Sequence, residues 1–125
     1  MTQILAAEPQ IFVTDMERSL AFYRDLLGFR TVFTFGEPVF YAQVGRQGAR
    51  INLRLVASLP FDRAFRAREV DALSATLALD EADPLFREYQ EAGASFHQPL
   101  RVEDWGAKSF IVADPDGNLI AFAGS

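Results

Sequence analysis

Residues 110–125 read FIVADPDGNLIAFAGS. Two apolar, alternating runs flank DPDGN, whose Asp, Pro, Gly and Asn are the residue types that close a reverse turn, so the stretch predicts two strands joined by a hairpin. On the second strand Ile120 and Phe122 share one face, while Leu119, Ala121 and Ala123 share the other. One face therefore carries bulk, and the other is nearly bare at its centre. The bare face has two readings. Either it leaves room for a ligand, or Ala121 fits beneath a large neighbour such as Trp105.

Upstream of this hairpin the chain repeats an order of elements. PQIFV predicts a strand with Ile11 and Val13 on one face and Glu8, Gln10 and Phe12 on the other. TDMERSLAFYRDLLG predicts a helix, with a capping box from Thr14 and Glu17, apolar spacing through Met16, Leu20, Tyr23 and Leu27, and a stop at Gly28. FRTVFTFG, PVFYAQVG and GARINLRLV follow as strands. The second half runs LSATLALD (strand), ADPLFREYQEAG (helix, Asp83 as N-cap, Pro84 in first helical position, Gly93 as stop), then SFHQPLRV, KSFIVAD and NLIAFAG. The stop glycines stand 93 − 28 = 65 residues apart, about half of the 125. The expected class is α+β: tandem βαβββ modules, about 5–57 and 70–124 within a single domain 1–125, forming a curled, cup-shaped mixed sheet with helices outside.

Composition narrows the function. Half the residues are hydrophobic and there are 12 Phe, so a packed core is expected. No cysteine is present, which removes disulfides, thiolate metal sites and thiol nucleophiles. A net charge of −5 opposes nucleic-acid binding. No apolar run reaches a membrane span and the first residues lack a signal-peptide pattern, so the expected place is the cytoplasm. Asp114 and Asp116 belong to turn chemistry rather than to an acid–base pair. No Ser has a His partner that the sequence can place.

The motifs VTDMERSLAFYRDLLGF and EAGASFHQPLRVEDWGAKSFIVADPDGNLIAF resemble the vicinal oxygen chelate superfamily, which includes glyoxalase I, extradiol dioxygenases, and fosfomycin- and bleomycin-resistance proteins. The likeness runs from about Glu8 to Phe122. In the enzymes of that superfamily, four cup-facing positions supply His, Glu or Gln to a divalent metal that acts as a Lewis acid. Carried over, these positions fall at Glu8, Asn52, Ser74 and Ala121. A methyl group cannot ligate, a neutral Ser hydroxyl and an Asn amide are poor ligands, and one carboxylate does not hold a transition ion against water. His97 falls outside the ligand strands. No metal and no other cofactor is expected.

Pro9 and the Trp105–Gly106 pair resemble the bleomycin-resistance proteins, which implies a homodimer that sequesters a drug without chemistry. If Asn52 faces the cup, strand alternation brings Arg50 and Arg54 with it, leaving Ile51, Leu53 and Leu55 under the helix. Glu8 likewise brings Gln10 and Phe12, and Ser74 brings Thr76 and Ala78. Phe33, Phe35, Phe40, Trp105 and Phe110 are the aromatic candidates. Two arginines favour an anionic or neutral aromatic ligand; alternatively they sit at the rim or pair with Glu37 or Glu103.

The expected function is non-catalytic binding of a small molecule, an aromatic natural product or antibiotic, by a homodimer. A metal-dependent lyase, isomerase or dioxygenase with an atypical ligand set is the alternative. A third reading is a module whose cup is filled by its own side chains.

Overall fold

The structure is a computed structural model that describes all residues, Met1–Ser125. Eight strands and three helices follow in the order β1 (Gln10–Val13), α1 (Met16–Ala21), β2 (Arg30–Phe35), β3 (Tyr41–Arg46), β4 (Ala49–Leu55), α2 (Arg63–Arg68), β5 (Ala75–Ala78), α3 (Ala82–Glu91), β6 (Phe96–Val102), β7 (Lys108–Ala113) and β8 (Leu119–Gly124). The expected repeat is present. Each half forms a four-stranded mixed sheet, with order β1-β4-β3-β2 in the first and β5-β8-β7-β6 in the second. In each, the first strand runs parallel to the last and the remaining pairs are antiparallel. The helical element α2, between the modules, carries no strong periodic signal and was absent from the sequence expectation.

Local chemistry explains the helix ends. α1 is capped by Asp15, whose side chain accepts from the Arg18 amide at 3.0 Å. The expected Thr14 cap does not form, because the Thr14 hydroxyl and amide both donate to Asp116 of the other module. The expected helix up to Gly28 does not stay α-helical throughout. It runs on as a π-helical stretch, Phe22–Leu26, with the Leu27 amide reaching back to the Phe22 carbonyl. α3 starts one residue before the expected Asp83 cap, with Glu81 in the cap position and Pro84 in the first turn, where its missing N–H costs nothing. Both predicted stops hold: Gly28 and Gly93 have φ of +73° and +84°, a region that glycine enters without strain.

The helix-packed faces of both sheets contribute to one core. Ile11 and Val13 of β1, Ala42 and Val44 of β3, and Ile51 and Leu53 of β4 join Phe110, Val112, Ile120 and Phe122 of the second sheet, with Tyr23, Leu27 and Tyr89 from the helical segments. Phe110 and Phe122 stack with ring centroids 5.0 Å apart, and Tyr89 meets both rings edge-on. The bulky set of β8 is thus core. The bare set, Ala121 with Leu119 and its neighbour Ile111, forms a small apolar cluster of its own on the outer face. Trp105 does not cover it, being 78% exposed in the β6–β7 turn.

A clasp of hydrogen bonds joins the halves. In the DPDGN turn, buried Asp114 accepts from Tyr23 Oη (3.1 Å), Asn118 Nδ2 (2.8 Å) and the amides of Asp116 (2.9 Å) and Asn118 (2.8 Å). Asn118 Nδ2 also donates to the Phe12 carbonyl at 2.9 Å. Burial pushes the Asp114 carboxyl above its ordinary range, opposed by the bonds from Asn118, Tyr23 and Asp116. Burial, and then the facing Asp114 charge, push the Tyr23 phenol well up. A second link lies across the molecule, where Arg46 Nη1 donates to the Leu27 carbonyl (2.9 Å) and pairs with Glu88 (2.6 Å), and Tyr89 Oη donates to the same carbonyl (2.8 Å). No helix is long and apolar enough to cross a membrane.

Candidate functional site

One face of each sheet belongs to this core, and the other face is turned away from it. On the first sheet, register sets the side chains in rungs. Phe12 lies opposite Arg54, Arg54 opposite Tyr41, and Tyr41 opposite Phe35, so these four cross the sheet side by side. The next rung is Gln10, Asn52, Gln43 and Phe33. Residues paired across strands share a face, so both rungs look outward. With about 4.8 Å between strands, one rung spans roughly 14 Å. Phe12 is 40% exposed and Phe33 44%. Phe33 lies nearly parallel to Tyr41, with centroids 6.4 Å apart, and Phe40 meets Phe35 edge-on at 5.8 Å.

Amides hold the centre of this face. Buried Gln43 donates through Nε2 to Asn52 Oδ1 at 2.9 Å and to Glu8 Oε1 at 3.3 Å. Gln43 was not among the sequence candidates, although its alternation with Tyr41 in FYAQVG carried the signal. The two arginines divide. Arg50 folds back over Gly45 and donates to the Gln47 and Ala49 carbonyls, both at 2.8 Å, so it braces its own hairpin. Arg54 is exposed and enters none of the six ion pairs of the chain; the expected alternatives, Glu37 and Glu103, do not pair with it.

A groove of about 1040 Å³ adjoins this face, between the start of β1 and the free edge of β5. Glu8, Arg50 and Thr76 line it, over an apolar floor that includes Leu77, Tyr89 and Phe122. Glu8 thus stands at the corner shared by groove and face. Gln10, Phe12, Phe33, Asn52 and Arg54 belong to the face alone. Ser74 immediately precedes β5, its hydroxyl donating to Asn118 Oδ1 at 3.2 Å, and Ala121 lies on the second sheet, paired with Thr76 and Ile111. Phe110 is corrected: it is fully buried in the core, because its neighbour Ser109, not Phe110, takes the outward place on β7.

The second sheet presents a polar patch of a different kind. Glu103 Oε1 accepts from Ser109 Oγ at 2.5 Å and from Arg101 Nε at 2.9 Å, and Gln98 Nε2 donates to Ser109 Oγ at 3.2 Å. These two donors, Ser109 first, hold the Glu103 carboxyl below its usual range. His97 pairs with Asp71 at 2.8 Å, away from both faces' centres.

The register supports the internal alignment of the four positions the resemblance implies for a metal. Asn52 lies opposite Gln10, two residues after Glu8; Ala121 lies opposite Thr76, two residues after Ser74. The donors do not fit a divalent ion. Ala121 has no donor atom, the Asn52 amide oxygen already accepts from Gln43, and no group of three or more His, Cys, Asp or Glu side chains comes together in the chain.

Comparison with known proteins agrees with the fold. A model of the Glyoxalase/Bleomycin resistance protein/Dioxygenase superfamily matches residues 4–122. Similar solved structures include a bleomycin-binding protein from bleomycin-producing Streptomyces verticillus, complexed with copper(II)-bleomycin (22% identity, 100% of this chain and 99% of that one, TM-score 0.76). Others are a bleomycin resistance determinant encoded on the transposon Tn5 (20%, 96% and 97%, 0.74) and TioX from Micromonospora sp. ML1 (20%, 94% and 95%, 0.73). No curated protein matches the chain in sequence.

Proposed function

Because the chain belongs to the Glyoxalase/Bleomycin resistance protein/Dioxygenase superfamily, we propose that it is a binding protein of the bleomycin-resistance kind, which sequesters an aromatic natural product or antibiotic without transforming it. The observation that carries this reading is the pair of rungs on the first sheet. Exposed Phe12 and Phe33 flank an amide centre and a free guanidinium, and sheet surfaces left to water rarely keep so many aromatic rings. The donor set at Glu8, Asn52, Ser74 and Ala121 speaks against metal-assisted chemistry through its own residues. Two relatives of the same fold, described as binding bleomycin or conferring resistance to it, support the class of role.

A homodimer is part of the proposal. Ile4 and Leu5 are 96% and 91% exposed in a segment outside every strand, and the outer edges of β1 and β5 have no hydrogen-bonded neighbour strand. Apolar side chains and open strand edges of this kind are covered by association.

A thermal-shift screen of aromatic antibiotics and organic acids, run with and without divalent Fe, Mn, Zn and Ni, tests the reading. At a ligand concentration of 100 Kd the folded form gains about 2.7 kcal/mol, a shift of several degrees. The expected result is stabilisation by at least one aromatic compound that chelation leaves unchanged. Stabilisation that requires a metal, together with stoichiometric metal lost on substitution of Glu8, contradicts it.

A further inference from the structure

We propose that the outer face of the first sheet selects a planar aromatic anion, with Arg54 as the residue that binds its charge. The inference rests on the reading of that face as the ligand site and adds the charge class of the ligand. Arg54 stands on β4, an interior strand, with Phe12 on one neighbouring strand and Tyr41 on the other. Its guanidinium has no carboxylate partner anywhere in the chain. It is also not stacked on its aromatic neighbours: the one cation–π contact belongs to Arg66 and Phe61. A planar fork of donors is thus left free between two rings that offer flat surfaces to an aromatic skeleton.

The neighbouring groups agree with an anion. Asn52, one rung away, uses its amide oxygen to accept from Gln43, which leaves its N–H groups as donors for a ligand oxygen. The carboxylate on this side, Glu8, lies two rungs from Arg54, roughly 13 Å along the strand direction, and is engaged by Gln43. Arg50, which would otherwise compete for the anion, is tied to two carbonyls of its hairpin. Rings to stack on, a free guanidinium and an amide donor describe a carboxylate- or sulfonate-bearing aromatic compound.

Two dyes with one skeleton separate charge from stacking. 1-Anilinonaphthalene-8-sulfonate is anionic, and N-phenyl-1-naphthylamine lacks the sulfonate. Fluorescence titrations of the full chain and of R54Q, R54K, R87Q and the double variant F12A/F33A are compared, each variant first shown to be folded by a cooperative thermal transition above the assay temperature. The proposal expects the anionic dye to bind the unaltered protein about tenfold more tightly than the neutral one, as a charge-assisted bond would provide. R54Q should remove that advantage and leave the neutral dye within about twofold, while R87Q, on an exposed helix position, leaves both dyes unchanged. R54K should retain part of it, and high salt should weaken the anionic dye alone. Equal affinities for the two dyes, or an anionic dye indifferent to R54Q, overturn the selection of anions while the sensitivity of both dyes to F12A/F33A leaves the aromatic face standing as a ligand site. If F12A/F33A changes neither affinity, the face is not the ligand site and the proposal falls with that reading.

Discussion

Substitution of Asp114 by Ala should lower the stability of the fold by about 3–5 kcal/mol, measured as the free energy of unfolding in urea. The carboxylate accepts four hydrogen bonds, from the Tyr23 phenol, the Asn118 amide side chain and two backbone amides. All four donors stay buried or nearly so when the acceptor is removed, and each unmade buried bond costs on the order of 1 kcal/mol or more. The effect reaches beyond the turn. Tyr23 belongs to the helical segment of the first module and Asn118 holds the Phe12 carbonyl, so the loss loosens the joint between modules. Asp114→Asn, which keeps one acceptor oxygen, should cost less. A pH series distinguishes charge from geometry. Burial raises the folded-state pKa of Asp114 above the ordinary value near 3.9, so the stability associated with its protonated form is complete below that value and is lost as pH rises through the folded pKa. The advantage of the unaltered protein over Asp114→Asn should therefore shrink as pH rises from below the ordinary carboxyl value through the raised folded-state pKa. An advantage that grows over this interval contradicts the role of burial.

The second large effect separates two phenylalanines that alternation alone leaves alike. Phe110→Ala should cost about 3–5 kcal/mol of stability, because its ring is fully buried against Phe122, Phe86, Phe96 and Tyr89 and leaves a cavity in a close-packed core. Phe12→Ala, at a site 40% exposed, should cost about 1 kcal/mol or less and weaken aromatic ligands instead. Urea melts and dye titrations of the two variants, run side by side, should give opposite patterns. A Phe110 variant with intact stability and lost binding reverses the assignment of faces.

The core of the first sheet was legible because alternation is a local property. Ile11 with Val13, and Ile51 with Leu53, show their facing in the sequence, and Arg54 and Asn52 follow from the same period. The duplication was legible because the order of strands and helix recurs and the two helix stops, Gly28 and Gly93, stand about half the chain apart. Phe110 was not, since KSFIVA is apolar on both faces and its register is set by pairing with β8, in which Phe122 lies opposite. Thr14 has the local pattern of a cap, and the residue that takes its hydroxyl instead, Asp116, is 102 residues away. Alternation gives Gln43 its face, but its burial and its bonds are set by tertiary contacts. A buried amide is recognised by its partners, Glu8 and Asn52, which lie before β1 and on β4. Contacts between elements distant in sequence leave no local pattern, so the rungs of the site emerge only with the register.

The most direct measurement is an amide chemical-shift map of the protein in an ¹H–¹⁵N spectrum, recorded on addition of the anilinonaphthalene sulfonate with a chelator present. The largest shifts should fall on Phe12, Phe33, Tyr41, Asn52 and Arg54, across the four strands of the first sheet. Shifts confined to Leu77–Glu81 and α3, or shifts that appear only when a divalent metal replaces the chelator, would contradict a metal-free aromatic face as the seat of binding.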